Sequence, residues 1–307
     1  MDTYQLNREF LHPKYWLVWC GIALLFLTSL LPYATLLFLG KWLGRIASFF
    51  ATSRVKIARR NIELCFPALS KEDVDEKVRR NFENSGIALF EMGMAWFWPS
   101  WRVRKILKVR GKEHIDKATE NKQGIIYLGA HFLTIEMGGR AGGLTLPSNA
   151  VYRKHKNKLL DYWFYWGRMR NNKSMLDRQD LKGMLRLLKN GDSLWYAPDH
   201  DYGRHKSSIF APLFAVENAN TISGTGILAR TKNSVVIPQF LKRLPGTQGY
   251  ELIFYPPMQN FPSKDLLADT TATNQQLEKM IMECDDQYMW MHRRFKTRPE
   301  GESSFYE

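Results

Sequence analysis

Ile125-Ile126-Tyr127-Leu128 is a short apolar run preceded by a glycine, and it leads into Gly129-Ala130-His131-Phe132-Leu133-Thr134-Ile135-Glu136. The run has the length and β-branched content of a buried strand. The residues after it read as a turn into a helix that opens at Ile135, with Thr134 as its cap. Similar apolar runs recur at Leu194–Ala197, Val235–Ile237 and Leu252–Tyr255. Helical patterns lie between them near residues 157–170, 180–189, 219–231 and 271–284. Strands alternating with helices predict an α/β layer structure over residues 102–307.

In that frame His131 stands in the strand-to-helix turn and Glu136 in the first helical turn, where the helix dipole favours a carboxylate. Five residues on one helix would separate the two by about 140°. The turn removes that obstacle. Glu136 is then expected to hydrogen-bond one imidazole nitrogen, leaving the other to take a proton from a hydroxyl. A second candidate follows the strand at Leu194, in Trp195-Tyr-Ala-Pro-Asp199-His200-Asp201-Tyr-Gly203 with His205 close behind. Those carboxylates and imidazoles suit a metal as well as a substrate. Neither His-x-x-x-His nor His-Glu-x-x-His is present, and basic neighbours disfavour a dication, so no metal and no other cofactor is expected.

Upstream, Tyr15–Leu31 is an apolar run of seventeen residues that ends at Pro32. It has Trp16 and Trp19 near its start and Tyr33 just beyond, as a membrane-spanning anchor would. A signal peptide would have a shorter apolar region and a small-x-small cleavage site, and neither is found. Beyond Pro32, Leu39, Trp42, Leu43, Ile46, Phe49 and Phe50 recur at helical spacing, which predicts a helix lying in a membrane interface. No acidic residue separates Glu9 from Glu63, so Arg54, Lys56, Arg59 and Arg60 meet anionic headgroups unneutralised and place the rest of the chain on the cytoplasmic side. Ser70 and Asp73 form a capping-box variant that starts a helix carrying Val74, Val78 and Phe82 on one face. The stretch Phe90–Trp98 suits ordinary core or the wall of an acyl-chain site. The chain thus divides into an anchor (1–50), a helical segment (51–101) and the α/β domain (102–307).

The 307 residues carry 44 Lys and Arg against 30 Asp and Glu, a net charge of +14. The first 60 residues contribute 8 of these bases against 2 acids, and residues 150–206 contribute 13 against 6. An anionic partner is implied, and Arg-rich clusters beside candidate sites favour phosphate or carboxylate. Nucleic acid has no support, because zinc-finger spacing, basic zipper and RNP aromatics are all missing. Three cysteines without a CxxC pair exclude a disulfide scaffold. No Gly-x-Ser-x-Gly elbow is present.

Several longer strings carry a family resemblance. They are Leu11–Trp16, Asn61–Pro67, Glu91–Pro99, His131–Glu136, Trp166–Asp177, Trp195–Gly203 (WYAPDHDYG) and Met289–Gly301, which contains HRRFKTRPEG. With them the chain resembles the bacterial lipid A late acyltransferases over its whole length, most closely the lauroyl type, with the palmitoleoyl form a close relative. The His-x4-Glu form corresponds there to the His-x4-Asp motif of glycerolipid acyltransferases. The resemblance implies a mixed sheet flanked by helices, of glycerolipid-acyltransferase type, at the bacterial inner membrane. It implies transfer of a fatty acyl group from acyl carrier protein to a hydroxyl on a 3-hydroxyacyl chain of Kdo-lipid IVA. His131 is then the general base, Glu136 orients it, Arg168 holds a phosphate and Asp199 fixes the geometry. A metal-dependent lipid hydrolase using Asp199, His200, Asp201 and His205 is one alternative, and a non-catalytic anionic-lipid-binding module is another.

Overall fold

The computed structural model describes residues 5–306. Its strands are β1 (Leu107–Arg110), β2 (Gly124–Leu128), β3 (Asn149–Tyr152), β4 (Ser174–Asp177), β5 (Ser193–Tyr196), β6 (Ser208–Leu213), β7 (Val216–Ile222), β8 (Ser234–Arg243) and β9 (Tyr250–Phe254). Seven form one sheet in the order β1-β9-β8-β2-β5-β3-β4, parallel throughout except between β8 and β9. This is the expected mixed sheet. β2, which carries Ile125–Leu128, lies at its centre and is buried along its whole length. Burial on both faces explains why it reads as a continuous apolar run rather than an alternation.

The helices before the sheet are α1 (Trp16–Ser29), α2 (Tyr33–Phe50), α3 (Thr52–Cys65), α4 (Lys71–Phe97) and α5 (Ser100–Lys105). Those woven into it are α6 (Lys112–Glu120), α7 (Ile135–Thr145), α8 (Lys158–Met169), α9 (Leu181–Lys189), α10 (Gly224–Ala229) and α11 (Leu266–Met282). Alternate side chains of β2 serve two cores. Ile126 and Leu128 pack with Met184, Leu228 and Leu277, whereas Ile125 and Tyr127 pack with Met94, Ile115 and Met137.

α4 starts where the capping signal places it, with the Ser70 hydroxyl accepting from the Asp73 amide at 3.1 Å. Its C-terminal half lies in the core, with Met94 and Trp96 buried, as is Trp98 just past its end. α2 crosses it at very close range. A Cβ on Gly44 would run into the Phe82 carbonyl, and one on Gly86 into the Gly40 carbonyl. Only glycine permits backbones to approach this far.

Two expectations are corrected. The run Tyr15–Leu31 yields a helix of only 14 residues, since the chain turns at Leu30–Pro32. At 1.5 Å per residue that is about 21 Å, short of the roughly 30 Å hydrocarbon core. Among the described residues no single helix is long and apolar enough to cross a membrane, although α2 and α3 together match in length and composition with a 99° bend between them. α1 instead buries Ile22, Leu25 and Ser29 inside the protein, with the Leu25 carbonyl and side chain close against Gly93 of α4. The helix expected over 219–231 is a strand, β7, followed by the six-residue α10. Pairing with β6 overrides the local pattern, and the Asn220 side chain is drawn in to bind Asp201.

Candidate active site

β2 and β5 are parallel neighbours in which Leu128 is the partner of Tyr196. Three residues past each lie His131 and Asp199. The register therefore delivers both side chains to one point beyond the carboxyl ends of adjacent strands, where open α/β sheets build their sites. The Asp199 carboxylate accepts from the His131 backbone amide at 2.8 Å and meets the ring Nδ1 at 2.7 Å. Tyr288 Oη donates to its second oxygen at 3.1 Å. Burial of Asp199 would raise its pKa, but the His131 imidazole and its hydrogen bonds pull it well below the usual carboxylate range. The segment before Trp290 runs beside the turn and holds it. Leu133 N donates to the Gln287 carbonyl, and Met289 N to the His131 carbonyl.

Glu136 faces elsewhere. It opens α7, as expected, but its carboxylate takes Arg168 of α8 in a two-point contact, with Nε at 3.1 and 3.3 Å from the two oxygens. Trp96 Nε1 donates to it at 3.3 Å. Burial disfavours the Arg168 charge, yet Glu136 outweighs this and raises its pKa. The expected hydrogen bond from Glu136 to His131 is thus made by Asp199. In the first turn of α7, Glu136 is bound by Trp96 of α4 and Arg168 of α8. Thr134 occupies the cap position without capping, since its hydroxyl donates to the Leu241 carbonyl.

Next to the pair lies a largely apolar cavity of about 850 Å³, open mouth included. Its walls include Ala130, Phe132, Glu136, Arg168 and Trp195, and three glycines of α7 (Gly138, Gly139 and Gly142) leave room along one side. Trp195 stands at a steep angle to His131, 78° between ring planes and 6.2 Å between centroids.

A matching set of residues extends almost from end to end of the chain. The family description of bacterial lipid A biosynthesis acyltransferases matches residues 4–297. The chain belongs to this family. As a lipid A acyltransferase it is an enzyme. It is 50% identical to the lipid A biosynthesis lauroyltransferase of Escherichia coli (strain K12) over 304 residues, 98% of either chain. To the palmitoleoyltransferase of the same strain it is 45% identical over 302 residues, again 98% of either chain. Identity to the myristoyltransferase of that strain is 25%, over 99% of this chain and 94% of the other.

The four residues of the hydrolase alternative are dispersed in this lipid A acyltransferase. Asp201 is buried and binds Gly203 N, Asn220 and Thr297, tying its loop to the C-terminal segment. His205 is exposed and pairs with Ser207. His131, Asp199 and His200 do bring donor atoms within 4.8 Å of one another. The two imidazoles, however, are stacked face to face at 3.5 Å and 15°. Lone pairs in nearly parallel ring planes do not converge on one ion. His200 stacks in turn on His292 at 3.9 Å and 6°. Burial foremost, together with His131, His292 and Arg294, pushes His200 down to about 3 against the pull of Asp199, so it is neutral near pH 7. Sequence reasoning gives no role to Tyr288 or His292, the latter entering only inside the family string Met289–Gly301. Nothing local marks Tyr288 as a partner of a carboxylate 89 positions upstream.

Proposed function

We propose that this enzyme transfers a fatty acyl group, lauroyl by its likeness to the lauroyltransferase, from acyl carrier protein to a hydroxyl on a 3-hydroxyacyl chain of Kdo-lipid IVA. The observation that carries the reading is the buried Asp199 bound to His131 beside an apolar cavity. Asp199 fixes the imidazole with its Nδ1 proton inward, leaving Nε2 as the base. The acceptor hydroxyl gives its proton to Nε2 as its oxygen attacks the thioester carbonyl. A tetrahedral oxyanion forms and then collapses, the C–S bond breaks, the ester forms, and the thiol leaves with the proton from Nε2. No nucleophilic Ser or Cys is needed. The acyl chain takes the cavity. Glu136 serves the site by holding Arg168 at the cavity wall, where the guanidinium faces the anionic groups of donor or acceptor.

The enzyme works at the cytoplasmic face of the bacterial inner membrane, with residues 1–50 as membrane element, 51–101 as a helical brace and 102–307 as the α/β acyltransferase unit of glycerolipid-acyltransferase type. Supporting this, Leu17, Phe38, Trp42, Ile46, Phe49 and Phe50 all project outward from α1 and α2. An apolar surface rimmed by Lys41, Arg45 and Arg54 suits an anionic bilayer better than water. The element lies on the membrane rather than crossing it. Purified enzyme incubated with acyl carrier protein thioesters and Kdo-lipid IVA should yield the acylated lipid by mass spectrometry. Loss of that product in His131→Ala, with vesicle binding intact, separates the reading from a lipid-binding module. Absence of product from the unaltered enzyme overturns it.

A further inference from the structure

His131, His200 and His292 form a column of three imidazoles contributed by segments far apart in the chain. The two stacking contacts are 3.5 Å at 15° and 3.9 Å at 6°. Hydrogen bonding does not account for the column. His200 Nε2 and His292 Nδ1 are buried and take no hydrogen bond among the described residues. What these two rings present to the site is their faces. The contact of His131 Nδ1 with Asp199 fixes one point of the ring in its plane and leaves tilt about that point free. A flat neighbour at van der Waals distance removes the tilt.

We infer that His200 is a positioning residue for acyl transfer, its ring face setting the plane of the His131 imidazole, with His292 buttressing it from behind. The inference rests on His131 being the base of the reaction proposed above. The groups facing the column are Asp199 and Tyr288 at the His131 end and Arg294 and Lys296 near His200 and His292, with the Tyr202 ring 6.2 Å from His200. These cations disfavour a second charge in the stack. When His131 takes the acceptor proton, the ring beneath it stays neutral and offers a π face to the new imidazolium.

Full-length enzyme in detergent micelles tests this with His200→Ala, His200→Phe and His292→Ala. Removing the ring should lower kcat about tenfold or more, with KM for both substrates within about twofold, as expected when a reacting group loses its aim. His200→Phe keeps a flat face without nitrogens and should recover kcat to within about threefold of the parent. His292→Ala should fall between. A second measurement is independent of turnover: the rate at which diethylpyrocarbonate modifies His131, followed by peptide mass spectrometry. Freed from the stack, the ring should react several-fold faster in His200→Ala and at the parental rate in His200→Phe. Parental kcat in His200→Ala, a Phe variant no better than Ala, or an effect carried by KM would each overturn the inference. If the parent enzyme transfers no acyl group, the acyltransferase reading fails, and the modification rates still decide the role of His200.

Discussion

Asp199 receives His131 twice, accepting from its backbone amide at 2.8 Å and meeting its ring at 2.7 Å. One carboxylate thus sets where the residue sits and which way its imidazole is turned. Removing the charge while keeping the shape should separate these tasks. Asp199→Asn should retain the fold but present the wrong imidazole tautomer, lowering kcat by about 10⁴-fold, as in other His–Asp pairs. Steady-state kinetics beside a thermal melt measures both.

The acid side of the stability profile should carry two signatures. His200 is depressed to about 3 from its ordinary 6.5, so the unfolded chain binds a proton first as pH falls. Stability is then lost from about pH 6.5 downward. Asp199 is depressed too, so its contribution is present above the ordinary carboxylate range and fades below about pH 4. His200→Phe should therefore lose less Tm between pH 7 and 4.5 than the parent, and the fall below pH 4 should remain.

Glu136 and Arg168 are 10% and 27% exposed at the side chain, so each leaves the other largely stranded when removed. Glu136→Gln or Arg168→Gln alone should cost about 2–3 kcal/mol, somewhat under the range for fully buried pairs. The double variant should recover about 1 kcal/mol or more of that sum in a denaturation cycle. Additive losses would show that the contact contributes nothing.

Gly139 tests the use of the cavity. A Cβ there meets nothing within 4 Å, and the residue lies in the interior of α7. Gly139→Leu should hold or raise stability by about 0.5–1 kcal/mol through helix propensity. With its side chain in the cavity, it should shift donor preference toward shorter acyl chains in competition between thioesters of mixed length. An unchanged product distribution would place the acyl chain elsewhere.

Ile46 and Phe49 are 52% and 78% exposed on α2. Ile46→Glu with Phe49→Glu should leave Tm unchanged and cut binding to vesicles containing anionic lipid about tenfold or more, by flotation.

Much of the architecture is legible in the chain. The strand before His131, the start of α4 at Ser70, and His131, Glu136 and Asp199 stand out in the sequence, while Arg168 is singled out only by the family resemblance. Their pairing does not. Spacing of five joins His131 to Glu136 because a sequence shows only covalent neighbours. The adjacency of β2 and β5, which joins residues 68 positions apart, belongs to the sheet order. Hydropathy likewise runs Tyr15–Leu31 together as one span, since apolar residues continue through the turn that Pro32 imposes. β7 is hidden for a different reason. Val216-Glu-Asn-Ala-Asn-Thr-Ile222 has a polar composition whose asparagine is used internally.

The glycine contact between α2 and α4 has a bearing on reach. α4 runs from that contact to Trp96, whose indole touches the carboxylate beside the cavity. One unbroken helix therefore ties the outward apolar surface to the neighbourhood of the imidazole proposed above as the base. With the proposed bilayer contact, the height of His131 above the lipid is a fixed dimension of the molecule, like the throat depth of a press. Acceptors would then be sorted by how far their hydroxyl stands from the headgroup plane, before any pocket has recognised them.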